Sequence, residues 1–97
     1  MADKGVIFSK LLHLAYSKGM IVRMSPDLQA SYGRLYKNRI AIASDMEIDQ
    51  INYTFAHELA HSYLHKNIDV INSPDNAELE RNAHAAAQMI IDLLSID

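Results

Sequence analysis

The chain has no cysteine among its 97 residues. That absence rules out a disulfide framework and any thiolate metal site, so metal binding would have to rest on His, Asp and Glu. This is the ligand set of catalytic rather than structural zinc. No run approaches 18 apolar residues, and Met1 to Gly5 lacks the charged, apolar and small-residue succession of a secretory signal. No membrane span is expected, and the setting is expected to be the cytoplasm. The formal charge is −3, and the lysines and arginines (Lys4, Lys10, Lys18, Arg23, Arg34, Lys37, Arg39, Lys66, Arg81) are scattered along the chain. Without a basic stripe to follow a phosphate backbone, direct nucleic-acid binding is not expected. A composition 49% hydrophobic and 22% charged is that of a globular protein, and the length fits one domain over residues 1–97.

The informative segment is His57-Glu58-Leu59-Ala60-His61, an H-E-x-x-H sequence. Two histidines four apart stand one above the other on a helix and can hold one Zn²⁺, and the glutamate between them can act as base toward a water there. At 100° per residue Gln50, Thr54, His57, Glu58, His61 and His65 fall within a stripe about 100° wide. Ile48, Ile51, Tyr53, Phe55, Ala56, Leu59, Ala60, Tyr63 and Leu64 occupy most of the remaining circumference. A nearly buried helix with such a stripe needs a partner that satisfies the polar groups, and a metal ion is the simplest one.

Around this helix the sequence predicts an α+β fold. Helical spacing over Gly5 to Lys18 closes at Gly19, a position suited to a left-handed cap. Met20 to Ser25, Ala30 to Tyr36 and Arg39 to Ala43 read as strands, the last two joined at Lys37-Asn38, and together they predict a small antiparallel three-stranded sheet. Ser44-Asp45-Met46-Glu47 has the form of a capping box, which would start the motif helix just after Ser44 and carry it to about Lys66. Asn67 to Asn72 reads as a connection. Ser73-Pro74 offers a cap and first-turn proline for a last helix over Asp75 to Leu94. The sheet would pack on the buried motif helix, flanked by the N-terminal and C-terminal helices.

An open catalytic zinc takes a third protein ligand. His65 lies about 12 Å from His57 along the helix axis, too far to share the ion, and is expected at the far rim or bonded within the core. On the last helix Leu79, Ala83, Ala86, Ile90 and Leu93 mark an apolar face. Glu78 and Asn82 sit on one border of that face, with Glu80 and His84 on the other and His84 toward solvent. Asn82 pointing inward suits a group that orients a histidine ligand, and Glu78, one turn earlier, suits the ligand.

Arg39 to Ser44, Tyr53 to His61 with Leu64-His65, and Glu78-x-Glu80-x-Asn82 followed by Ala85-Ala86 resemble the ImmA/IrrE family of zinc metallopeptidases, over most of residues 32–91. The resemblance implies that the third ligand is the glutamate of the second active-site helix. Matching on Asn82 and Ala85-Ala86 makes it Glu78, and matching Glu80-Arg81-x-Ala83 to the family's E-R-x-A makes it Glu80. Met89-Ile90-Ile91-Asp92 stands where the family has Leu-Leu-Met-Pro. The resemblance further implies a regulatory endopeptidase of phage or mobile-element type, acting on repressors when an activating partner or stress is present.

The expected activity is hydrolysis of a peptide bond in a protein, with Zn²⁺ on His57, His61 and Glu78, Glu58 as the base, and Asn82 orienting a ligand. Tyr32, Tyr36, Tyr53 and Tyr63 are candidates to stabilise the oxyanion. Ile40, Ala41, Ile42 and Ala43 are expected to form an exposed edge strand on which an extended substrate adds. The competing expectation is a zinc-bound interaction module without catalysis, which would have no need of Glu58.

Overall fold

The computed structural model describes residues 3–26, 32–65 and 73–96. Helix α1 (Lys4–Ser17) leads to strand β1 (Ile21–Ser25), the hairpin of β2 (Gly33–Tyr36) and β3 (Arg39–Ala43), and helices α2 (Ile48–Leu64) and α3 (Asn76–Leu94). Asp3 caps α1, its carboxylate accepting from the Gly5 N–H at 2.7 Å. Gly19 takes φ +74° after the helix, where its missing Cβ removes the usual penalty. The expected start of the β2 strand at Ala30, the end of the motif helix at Lys66 and the connection at 67–72 lie outside the described residues.

The sheet is mixed rather than antiparallel. Its order is β1-β3-β2, with β2 antiparallel to β3 and β1 parallel to it. The hairpin turns at Lys37-Asn38 as expected, with Lys37 at φ 55°. The most apolar strand then takes the centre. Ile40, Ile42 and Ala43 are buried and both flanks of β3 are paired, so Ile40, Ala41, Ile42 and Ala43 are not an exposed edge. Central placement buries the backbone groups and the isoleucines of β3 together, whereas an edge would leave one row of N–H and C=O groups in water. The outer face of the sheet carries Ile21, Arg23, Arg34, Tyr36 and Arg39, all exposed, so basic side chains distant in sequence share one surface.

The capping box does not form. Glu47 is the N-cap of α2 and makes no side-chain cap bond, while the Ser44 N–H donates to the Ser25 carbonyl at 2.8 Å. Sheet pairing has taken the residue that local sequence offered to the helix. Asp75 likewise replaces Ser73 as the N-cap of α3, and the Ser73 hydroxyl accepts from the Asp75 N–H at 3.2 Å in the preceding turn.

Helix α2 is enclosed by α1, α3 and the inner face of the sheet. Its Phe55 is fully buried with Leu11 of α1 and Ile40 and Ile42 of β3, and the Phe8 ring meets Phe55 edge-on at 5.8 Å. Asn52, also buried, donates to the Lys4 carbonyl at 3.0 Å and ties the start of α1 to the second turn of α2. No helix among the described residues is long and apolar enough to cross a membrane.

Gly33 sets how closely β2 meets α2. A Cβ there would lie 2.6 Å from Thr54 Cγ2 and 3.3 Å from Glu58 Cγ, closer than packed carbons tolerate. Thr54 is buried and β-branched, so it has little room to turn away. Gly33→Ala is expected to destabilise the fold by about 1–3 kcal/mol through overpacking. Thr54→Ser, which removes the obstructing methyl, should recover part of the loss in the double variant. Urea unfolding of the two single variants and the double variant measures both effects, and additive losses would show that the contact does not limit packing.

Candidate metal centre

Helical periodicity places His57, Glu58 and His61 on the side of α2 turned toward α3 and β2. Glu58 and His61 are buried, and His57 is partly covered. A carboxylate from α3 joins them. His61 Nε2 lies 2.6 Å from Glu80 Oε1, and His57 Nε2 lies 3.7 Å from Glu80 Oε2. One ligand atom from each of His57, His61 and Glu80 falls within 4.8 Å of the others, a separation that one ion could bridge.

The structure thus brings Glu80, not Glu78, to the histidines. Ala83 and Ala87 are the fully buried residues of α3, and they turn the buried face about 60° from the one centred on Leu79, Ala83, Ala86, Ile90 and Leu93. Leu93, expected inside, is 58% exposed. The rotation carries Glu80 inward and leaves Glu78 and Asn82 exposed on the far border. Asn82, expected to point inward, is exposed. The sequence signal for the true face was the i, i+4 pair of small residues Ala83 and Ala87, which lets two helices approach closely, but a run of alanines at 85–87 obscured it.

His84, expected toward solvent, is the residue that sequence reading missed. Although exposed, its ring stacks on His57 with centroids 4.6 Å apart and an interplanar angle of 18°, and Nδ1 shares a short hydrogen bond with the Tyr53 hydroxyl. Of the four candidate tyrosines, Tyr53 is the one joined to site rings. Tyr32, Tyr36 and Tyr63 are exposed, and Tyr63 lies under the Lys18 ammonium. His65 is buried as expected, with Nδ1 2.9 Å from His61 Nδ1.

Burial, assisted by the neighbouring His61, pushes His57 down to about 4 against the opposing pull of Glu80. Burial also lowers His61. Both rings are therefore neutral near pH 7, the form that ligates a metal. Burial first, and then the Glu80 carboxylate, push Glu58 up to about 7, where a carboxyl group can both take and give a proton. The clearest sign that the site fits a cation is His57 Nε2, a buried nitrogen with no hydrogen-bond partner among the described residues that faces the Glu80 carboxylate. A lone pair left dry is costly unless something electrophilic meets it.

No curated protein and no solved structure matches the chain. A family model does match, that of the M78 peptidases, described as the IrrE N-terminal-like domain, and it spans residues 16–92. Its span takes in the whole of α2, α3 as far as Asp92, and the sheet beside them, so by sequence the chain belongs to the M78 peptidase family with its IrrE N-terminal-like domain.

Proposed function

We propose that the protein is a zinc-dependent endopeptidase that hydrolyses a peptide bond in a protein substrate. The observation that carries the reading is the unpartnered, buried Nε2 of His57 facing Glu80 and His61. His57, His61 and Glu80 would hold the ion, and Zn²⁺ is proposed because the two histidines and Glu58 form an H-E-x-x-H motif, the pattern of zinc hydrolases. The bound ion would supply Lewis acidity toward the scissile carbonyl.

The chain's own groups do the proton work. Glu58, held beside the cluster with its pKa near neutrality, takes the proton of the attacking water and delivers it to the departing amine. Tyr53 and His84, hydrogen-bonded to each other beside the His57 ring, keep one polar hydrogen between them that would be offered to the substrate carbonyl. β2, whose Gly33 lies against Glu58, walls the site on the sheet side, so a substrate segment would meet β2 rather than β3. The substrate class proposed is a regulatory protein such as a repressor, supported by the family resemblance, with the reaction set in the cytoplasm.

A zinc-bound interaction module would use the same three ligands. The buried Glu58 separates the two readings. A module gains nothing from a carboxyl group whose ionisation burial opposes, whereas a hydrolase needs that group.

Glu80→Ala is expected to weaken zinc binding far more than Glu78→Ala, read by competition with a chromophoric chelator. Loss in Glu78→Ala alone would overturn the ligand set. Glu58→Gln should keep zinc and lower cleavage of a repressor substrate by about 10²–10⁴. Cleavage equal to wild type would remove Glu58 from the chemistry.

The same variant has a pH signature in the metal-free protein. Because the folded-state pKa of Glu58 is raised, the native state holds the proton between pH 4.5 and about 7. The stability it confers is present below that window and lost as pH rises through it, by an amount on the order of 3 kcal/mol. Glu58→Gln has no such ionisation, so its stability relative to wild type should rise from pH 5 to pH 8 in urea unfolding with chelator present. A difference that does not change with pH would mean that Glu58 ionises without penalty.

A further inference from the structure

His65 has a place that neither ligation nor packing explains. It closes α2 as the C-cap residue, it is 7% exposed, and its Nδ1 points at His61 Nδ1 from 2.9 Å. The His61 ring is thereby engaged at both nitrogens, Nε2 by Glu80 at 2.6 Å and Nδ1 by His65. His57 is held by stacking instead, and its Nδ1 stands 3.8 Å from Glu58 Oε1, beyond hydrogen-bond reach.

A neutral imidazole carries one N–H. If Nε2 gives its lone pair to an ion, the proton must sit on Nδ1, and a buried N–H needs an acceptor. We propose that His65 is the positioning residue of the metal centre, the acceptor that fixes His61 in the Nδ1–H tautomer and holds its ring with Nε2 toward the ligand cluster. The proposal rests on the zinc site inferred above.

The choice of histidine follows from the surroundings. Glu58 and Glu80 already place two carboxyl groups at the site, and a third carboxylate behind His61 would add repulsion, whereas a neutral imidazole accepts without charge. An imidazole can also reverse its role. Without an ion, His61 Nε2–H donates to Glu80 and Nδ1 accepts from His65 Nδ1–H. With Nε2 ligating, His61 carries Nδ1–H and His65 carries Nε2–H. Each ring holds one proton in both arrangements, so the hydrogen bond between the two Nδ1 atoms is kept in both.

The test compares zinc affinity, by chelator competition, in wild type, His65→Leu and His65→Asn, together with the melting temperature of each metal-free protein. Leucine fills space without accepting, whereas the asparagine oxygen can stand where Nδ1 was. His65→Leu should bind zinc about 10–100-fold more weakly. His65→Asn should stay within a few-fold of wild type. Equal affinity in wild type and His65→Leu overturns the proposal, as does an equal loss in both variants at unchanged metal-free melting temperature.

Should both variants fail to fold, nitrogen-detected spectra of zinc-loaded wild type decide. They should show His61 as the Nδ1–H tautomer with a slowly exchanging proton, and an Nε2–H tautomer overturns the proposal. Wild type that binds no zinc overturns the metal-site reading itself, a result distinct from zinc binding that ignores residue 65.

Discussion

Everything at the site depends on how closely α3 lies against α2. Ala83 and Ala87 are fully buried on α3, and their small side chains let α3 come close enough to α2 for the Glu80 carboxylate to meet two imidazoles one turn apart. Larger residues at 83 or 87 would hold the helices farther apart and separate the ligand atoms. Burial of the same site lowers His57 and His61 and raises Glu58. Packing and chemistry are therefore set by one choice of small side chains.

The motif helix was legible because its signal is dense. Phe55, Ala56, Leu59 and Ala60 against His57, Glu58 and His61 repeat with a period that no strand or loop would produce, and the fold buries that apolar side. The three strands and the hairpin turn were legible for the same local reason. Strand order was not. Whether β1 pairs with β2 or with β3 depends on which strand most needs both neighbours, a comparison of burial over the whole molecule rather than a property of residues 21–25.

Two other failures have a common form. Ser44 and Glu47 carry a good local helix start, and the sheet outbid it with a backbone bond from Ser44 to Ser25. On α3 the large apolar residues suggested one face and the small ones another, and the tight helix contact decided for the small ones, bringing Glu80 inward, laying the exposed His84 ring on His57 and turning Glu78 and Asn82 out. In each case long-range packing overrode a local preference worth about 1 kcal/mol or less. Gly33 carried no pattern at all, since its role is to be absent where Thr54 and Glu58 stand.

The parallel pairing of β1 also divides the sheet by the chain length each closure must gather in. Tyr36 meets Arg39 across three residues, whereas Ile21 meets the same Arg39 across eighteen. By loop-closure entropy the second costs about 1.6 kcal/mol more than the first. The hairpin that walls Glu58 is thus the less costly half to close. The side of the sheet next to Glu58 closes on a short local turn, whereas the strand on the other flank of β3 depends on gathering in a longer stretch of chain.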